Sequence, residues 1–175
     1  MGWIILQKDE NLSFKLRKVK DRLERAGVRW GVFAGAGAHC YGSKRKVTDI
    51  DILVRAMDLE KAKAALKDVE GFDVVADMEI KTKEGICCFF MDNEMIERTQ
   101  WKQLFNVTVP IIPVEDNIIF KAILQRGENQ GKHDIEDIKR MTTKEKLDSE
   151  YLERRIKKYN AEKRVKPLLK LLGIL

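Results

Sequence analysis

Asp49 and Asp51 are two carboxylates separated by a single residue, and theirs is the spacing in this sequence that best suits catalysis or metal binding. They open the run DIDILV over residues 49–54, which is typical of a buried strand. Successive side chains of a strand alternate between its two faces, so the aspartates share one face while Ile50 and Ile52 share the other. Two like charges side by side cost free energy unless a cation or a proton compensates them. The pair is therefore a candidate site for a divalent metal ion.

A glycine-rich segment precedes the aspartate pair. Residues 30–34 predict a first strand, and Gly35-Ala36-Gly37 predicts a tight turn that opens a short helix through Tyr41. Helix starts of this kind expose backbone N–H groups that can bind phosphate. The segment thus combines candidate phosphate contacts with a candidate metal site.

The order of a strand, a glycine turn that opens a helix and an Asp-x-Asp strand resembles the DNA polymerase β-type nucleotidyltransferase superfamily. The chain is most similar to its small prokaryotic members, the AbiEii-type toxins and the lincosamide-type nucleotidyltransferases, which carry an Arg-x-Thr-x-Asp-x-Asp run. Arg45 and both aspartates match this run, whereas Val47 stands where Thr is common. Ala36 replaces the usual second Gly or Ser of the turn, and an alternative alignment takes Gly37-Ala38 as the turn pair.

The resemblance implies an α/β (α+β) nucleotidyltransferase fold with a mixed central sheet, helices on one face and a C-terminal helical segment. We expect a catalytic core over residues 1–112 and a helical region over residues 113–175 packed on it. The implied reaction transfers a nucleoside monophosphate from a nucleoside triphosphate to an acceptor hydroxyl, with two Mg²⁺ ions as cofactors. The implied acceptors are a tRNA or other RNA end, a protein side chain or a small molecule, and a toxin role would add an antitoxin protein as a partner.

The same resemblance assigns roles to residues of the first segment. Asp49 and Asp51 would be catalytic metal ligands, and Gly35, Ala36, Gly37 and Arg45 would bind the nucleotide. Superfamily active sites use a third acidic residue on a neighbouring strand, for which the sequence offers Asp92, Glu94 and Glu97. The first two fall at a predicted turn, where acidic residues are usually only solvated. We therefore expect Glu97 to be the third catalytic metal ligand, opposite an inward-facing Ile96 on a predicted strand.

A second region matches the same relatives. They carry a helix of the form Glu-Asp-x-x-x-x-Lys, followed after a loop by a basic residue and Asp-x-x-Asp, and Glu115, Asp116, Lys121, Asp134 and Asp137 fit this pattern. The resemblance implies that Lys121 reaches the triphosphate and that Asp134 lies near the site as a nucleotide-binding residue. Lys121 also suits a long side chain that extends from an apolar helix toward water. For Asp137 we favour the role of a charge at the positive end of the helix dipole.

Patterns of apolar residues and turn residues predict the elements that must position these side chains. Helices are expected over residues 11–26, 58–69, 114–126 and 132–141, and a capping box at residues 142–145 is expected to start further helix toward residue 172. Strands are expected over residues 30–34, 49–55, 72–81, 85–91 and 95–100, with a hairpin turn at residues 92–93. Pro110 and Pro113 bracket an expected connection out of the sheet.

Length and composition agree with a small intracellular enzyme or binding module. With 175 residues, 44% of them hydrophobic, the chain can build one core of ordinary domain size. Its formal net charge of +6 suits either a nucleic acid or a nucleoside triphosphate as partner. Because Ala36 and Val47 depart from the pattern of the resembled family, a competing hypothesis is a catalytically inactive nucleotide-sensing or RNA-binding module with the same fold.

Other classes of protein fit the sequence poorly. There is no apolar run of membrane-spanning length, and the apolar start is too short for the core of a signal peptide, so we expect a cytoplasmic protein without a membrane partner. The three cysteines are badly placed for a disulfide framework and are interpreted as reduced packing residues. With only two histidines, a zinc site is not expected.

Overall fold

The computed structural model describes residues 2–175, and the strands of this range fall into a central sheet and a separate hairpin. The strands are β1 (Trp30–Phe33), β2 (Ile50–Val54), β3 (Phe72–Val75), β4 (Met78–Thr82), β5 (Gly85–Phe89), β6 (Gln100–Leu104) and β7 (Val107–Ile111). The helices are α1 (Gly2–Arg25), α2 (Ala34–Cys40), α3 (Leu59–Leu66), α4 (Asn93–Arg98), α5 (Val114–Leu124), α6 (Asp134–Lys144), α7 (Ser149–Lys158) and α8 (Glu162–Leu171).

The central sheet is five-stranded and mixed, in the order β3-β2-β1-β7-β6. β1 pairs antiparallel with β2 and parallel with β7, while β2 and β3 are parallel. Ile50 and Ile52 are fully buried, as the alternation of the strand predicts. Asp51 is therefore on the opposite face, with Phe33 as its partner in β1 and Asp73 as its partner in β3.

The sheet and the C-terminal helices share one cluster of buried apolar residues. α5 lies at its centre, with buried side chains from Val114 to Ile123 around the whole helix. α7 and α8 each contribute fully buried side chains, among them Leu152 and Val165. A helix that is buried on all sides needs packing partners on all sides, which the sheet and the C-terminal helices supply together.

Most elements of the nucleotide-binding segment are confirmed. The residue patterns correctly predicted the strands β1 and β2 and the helices α2, α3, α5 and α6. The mixed sheet is also confirmed. α1 begins at Gly2, well before the predicted start at residue 11. The boundary near residue 112 between a core and a helical region stays a prediction.

The chain between residues 92 and 111 differs from the prediction. Asp92 is not in a hairpin turn: its carboxylate accepts a hydrogen bond from the Met95 backbone N–H at 2.9 Å and caps α4. A second hairpin, β6–β7, follows α4, and Pro110, predicted to begin the connection out of the sheet, lies within β7 opposite Trp101. Its two-residue loop is Phe105-Asn106, both with positive φ, as tight hairpins require.

The predicted capping box at residues 142–145 is also wrong. α6 continues to Lys144, and the hydroxyls of Thr142 and Thr143 donate to the Lys139 carbonyl one turn earlier. The next helix instead begins after Asp148, whose carboxylate accepts from the Tyr151 N–H at 3.0 Å. Within residues 2–175, none of the helices combines the length and apolar composition needed to cross a bilayer.

Candidate active site

A cleft of about 390 Å³ opens beside the start of β2. Its walls come from the β1–α2 junction, the loop that precedes β2, α5, and the loop that leads into α6. Seven of the residues predicted to form the site line it: Gly35, Ala36, Arg45, Asp49, Asp51, Lys121 and Asp134. The structure thus brings together residues from both sequence regions that carried the resemblance.

Three carboxylates converge at one side of this cleft. One oxygen from each of Asp49, Asp51 and Asp73 can be chosen so that all three atoms lie within 4.8 Å of one another. Asp49 directly precedes β2, and the parallel register of β2 and β3 sets Asp73 beside Asp51. Oxygen ligands at this spacing suit a hard divalent cation such as Mg²⁺.

The electrostatics of Asp51 agree with a cation site. Burial, followed by the negative charges of Asp49 and Asp73, raises the pKa of Asp51 to about 6, while Lys132 and Arg126 act in the opposite direction. Keeping all three carboxylates ionised therefore costs free energy, which a bound divalent cation would offset. The donor set fits a metal ion.

Glu97 does not join this group, and the carboxylate that lies beside Asp49 and Asp51 is that of Asp73. Glu97 lies on α4, not on a strand, and its side chain is exposed and outside the cleft. Asp73 was missed although it lies within the strand predicted over residues 72–81. The available signal was its position between Phe72 and Val74, which repeats the pattern of Asp51 between two isoleucines.

The glycine turn is held by a residue that sequence reasoning missed, Asn117 of α5. Its amide oxygen accepts from the Ala34 backbone N–H at 2.8 Å, and its amide nitrogen donates to the Ala34 carbonyl at 3.2 Å. These bonds fix Ala34 at a φ of 56°, a left-handed conformation that costs a residue with a Cβ about 1 kcal/mol or more. Gly35 is exposed at the cleft, whereas the predicted nucleotide-binding residue Gly37 is buried against the Asn117 amide and does not line the cleft.

Lys121 is buried, with 3% of its surface exposed. Its ammonium group lies 3.0 Å from Asp134 Oδ1 and 3.0 Å from Asp137 Oδ2. Asp134 also accepts from the backbone N–H and from Nε of Arg126, both at 2.9 Å. Although burial acts to raise the pKa of Asp134, its bonds to Arg126 and the charge of Lys121 hold that pKa below its ordinary value.

Asp137 ties the loop before β2 to the same network, so its role extends beyond a charge at the start of a helix. Its Oδ1 atom accepts from Arg45 Nε at 3.0 Å and from the Ser43 hydroxyl at 2.8 Å. Arg45 Nη2 also donates to the His133 carbonyl at 3.2 Å. Arg45, predicted as a nucleotide-binding residue, thus lines the cleft while bound to the start of α6.

The chain was compared with families, curated proteins and solved structures. The family described as "Nucleotidyl transferase of unknown function (DUF2204)" matches residues 13–171. No curated protein matches the sequence.

Among solved structures, the antibiotic-resistance factor ANT(2″)-Ia in solution is similar, with a TM-score of 0.54 at 12% identity over 83% of this chain and 89% of that one. A crystal structure of ANT(2″)-Ia in complex with adenylyl-2″-tobramycin gives a TM-score of 0.51 at 12% identity over 84% of this chain and 95% of that one. The lincosamide antibiotic adenylyltransferase LnuA, bound to lincomycin, gives 0.49 at 19% identity over 75% of this chain and 96% of that one. The similarity to ANT(2″)-Ia shows that the two proteins share a fold.

Proposed function

Because this chain belongs to the family described as nucleotidyl transferases of unknown function (DUF2204), we propose that its cleft transfers a nucleoside monophosphate from a nucleoside triphosphate to an acceptor hydroxyl with the help of Mg²⁺. The family match and the fold agree with the resemblance to polymerase β-type nucleotidyltransferases. The observation that carries the proposal is the group formed by Asp49, Asp51 and Asp73, whose oxygens lie within 4.8 Å of one another beside the cleft.

The three aspartates would hold the metal, and we propose two Mg²⁺ ions. When bound, Mg²⁺ lowers the pKa of an attacking hydroxyl and neutralises charge on the α-phosphate and the departing pyrophosphate. Asp51 and Asp73 contribute their oxygen atoms from paired strands, and Asp49 contributes from the residue that precedes β2.

In the proposed reaction the acceptor hydroxyl loses its proton to a carboxylate of the cluster or to water. Its oxygen forms a bond to the α-phosphorus, and the bond between that phosphorus and the bridging oxygen of the β-phosphate breaks. Pyrophosphate leaves with the electron pair of the broken bond. The exposed backbone of Gly35 and the cations of the opposite wall would orient the triphosphate for this displacement.

Nucleotide binding followed by label transfer tests the proposal. Isothermal calorimetry with ATP, GTP, CTP and UTP should show binding of at least one nucleotide that is strengthened by Mg²⁺. That nucleotide, labelled at the α-phosphate, should then label total tRNA, a protein fraction or a pool of small hydroxylated molecules. Asp49→Asn should abolish the labelling while circular dichroism shows an intact fold. Nucleotide binding without transfer to any fraction would support the inactive module instead.

A role as the toxin of a toxin–antitoxin pair follows only from the resemblance to AbiEii-type proteins. It predicts that expression of the wild-type chain arrests the growth of a bacterial host and that expression of Asp51→Asn does not. Normal growth with abundant wild-type protein would remove the toxin and its antitoxin partner from the proposal while leaving nucleotidyl transfer in place.

A further inference from the structure

The ammonium group of Lys121 is already fully used by neighbouring carboxylates. It lies 3.0 Å from both Asp134 and Asp137, and all three residues are at most 3% exposed. To contact a phosphate, Lys121 would have to leave one of these carboxylates buried without its cation, which is a costly change. The geometry therefore argues against Lys121 as a direct phosphate ligand.

Arg45 is engaged in the same way. Its Nε atom donates to Asp137 at 3.0 Å, and its Nη2 atom lies 3.7 Å from a carboxylate oxygen of Glu136. Its guanidinium therefore has two acidic partners on α6. Its charge is thus shared between two carboxylates, Asp137 and Glu136, whereas Arg126 pairs with Asp134 alone among the described residues.

Arg126 is held by one of these carboxylates but keeps donors free. Its Nε and Nη2 atoms donate to Asp134 at 2.9 and 3.3 Å, which fixes the plane of the guanidinium at the cleft wall. Its Nη1 atom has no hydrogen-bond partner among residues 11–175, and 30% of the side chain is exposed. A fixed guanidinium with unused donors is suited to bind phosphate oxygens.

Lys132 supplies a second available cation. It lines the cleft, is exposed, and forms no ion pair with any acidic side chain in the part of the chain whose side chains are described. Lys132 and Arg126 both line the cleft that Asp49 and Asp51 also line. A nucleotide bound there through a metal ion would therefore place its phosphates in the same cavity as these two cations.

We infer that Lys132 and Arg126 bind the β- and γ-phosphates of the nucleoside triphosphate, and that Lys121 is a positioning residue that holds Asp134 and, through it, Arg126. This inference rests on the proposed function and names the residues that bind its substrate. It replaces the role that the resemblance implied for Lys121.

Binding of ATP and AMP to Lys132→Ala tests the phosphate contacts directly. Loss of one charged contact should raise the Kd for ATP about tenfold or more and change the Kd for AMP less than twofold in calorimetry with Mg²⁺, because AMP lacks the β- and γ-phosphates. Lys139→Ala is the matched control, since it removes the same charge from an exposed residue of α6 outside the cleft. Its ATP affinity should equal that of the wild type.

A double-mutant cycle tests the positioning role of Lys121. If Lys121 acts through Arg126, Lys121→Met should weaken ATP binding in the wild-type background but change it less than twofold in an Arg126→Ala background. Circular dichroism establishes that each variant is folded. If Lys121→Met does not fold, Asp134→Asn replaces it in the same cycle, with the same expected loss of effect when Arg126 is absent.

Failure of the inference is distinct from failure of the proposed function. Wild-type ATP affinity in Lys132→Ala, or an undiminished effect of Lys121→Met in the Arg126→Ala background, would overturn the inference while the proposed function stands. A wild-type protein that binds no nucleoside triphosphate in the presence of Mg²⁺ would overturn the proposed function itself.

Discussion

Asp51 and Asp73 become neighbours because β2 and β3 run parallel in a register that pairs these two residues. Asp49 joins them from the residue that precedes β2. The local alternation of apolar and acidic residues was enough to predict that Asp49 and Asp51 share a face. The third carboxylate cannot be derived in the same way, because it depends on which later strand pairs with β2. Glu97, the predicted third ligand, lies on the helix α4 and not on a strand.

Substitutions of Asp73 and Glu97 show which of the two residues is the third metal ligand. Asp73→Asn should lower nucleotidyl transfer by roughly 100-fold or more, because it removes a proposed metal ligand. Glu97→Gln should retain transfer close to the wild-type rate, since its side chain is exposed on α4 and outside the cleft. Label transfer from an α-labelled nucleotide measures both. The reverse pattern would return the third position to Glu97.

The raised pKa of Asp51 predicts a pH-dependent change in stability. Its pKa of about 6 in the folded protein lies above the ordinary 3.8, so in the absence of metal the ionised side chain destabilises the fold above pH 6. This penalty shrinks as the pH falls from 6 toward 4, and it vanishes below the ordinary pKa of 3.8, where the side chain is protonated in both the folded and the unfolded state. Asp51→Asn should therefore be more stable than the wild type at pH 7 by on the order of 1–2 kcal/mol, allowing for solvent in the cleft.

Urea unfolding in EDTA at pH 7 and at pH 4 measures this difference. The expected result is a stabilisation by Asp51→Asn at pH 7 that largely disappears at pH 4, and a further stabilisation of the wild type alone when Mg²⁺ is added at pH 7. An equal difference at both pH values would show that carboxylate repulsion is not its cause.

Among the elements, α5 determines the shape of the glycine turn at the start of α2. Asn117 bonds both backbone groups of Ala34 and packs its amide against Gly37. A β-carbon added to Gly37 would lie 3.3 Å from the Asn117 amide, which explains a small residue at this position by packing and not by contact with the cleft. The glycine turn can be predicted from the local sequence. Its partner Asn117 cannot, because it is distant in the chain.

Removal of the Asn117 amide should loosen the turn. Asn117→Ala leaves the Ala34 backbone groups buried without partners, and we expect a loss of about 2–3 kcal/mol in the free energy of unfolding together with weaker nucleotide binding. Thermal unfolding and calorimetry measure the two effects. Asn129→Ala, at an exposed position, is the control and should change neither. Unaltered stability of Asn117→Ala would contradict this role.

The elements predicted correctly are those with strong local signals, and the errors fall where one signal had two interpretations. The alternation of apolar and acidic residues predicted β2, and the spacing of apolar residues predicted α5 and α6. Asp92 followed by Asn93 suits both a hairpin turn and a helix cap, and the fold uses the second. Pro110 argued against a strand because proline is rare in inner strands, yet β7 pairs on both sides.

For the whole molecule, the C-terminal helices are docked on α5 by a buried polar network. Arg155 is fully buried and donates to Asp116 at 2.8 Å and to Asp92 at 2.7 Å, while the Tyr151 hydroxyl donates to Asp116 at 2.5 Å. Glu115 accepts from the Asp148 backbone N–H at 2.8 Å, next to the start of α7. In this chain the Glu-Asp pair before Lys121 therefore joins α5 to the helices that follow.

Breaking this network should destabilise the whole fold. Arg155→Met leaves Asp116 buried without its cation, and we expect a loss of about 3–5 kcal/mol in a single cooperative urea transition. Arg154→Met, which removes the exposed neighbour that pairs with Glu94, should cost at most about 1 kcal/mol. The double variant Arg155→Met/Asp116→Asn should lose less free energy of unfolding than the two single variants lose together. Strictly additive losses would contradict a direct coupling between Arg155 and Asp116.

Mn²⁺ titration followed by electron paramagnetic resonance tests most directly whether Asp49, Asp51 and Asp73 together bind a divalent cation. Without nucleotide, the wild type should remove free Mn²⁺ from solution in a saturable manner that Mg²⁺ reverses. Asp51→Asn and Asp73→Asn should lose this binding, while Glu79→Gln, an exposed acidic residue of β4, should keep it. Equal Mn²⁺ binding by the wild type and the two aspartate variants would contradict binding by the three aspartates.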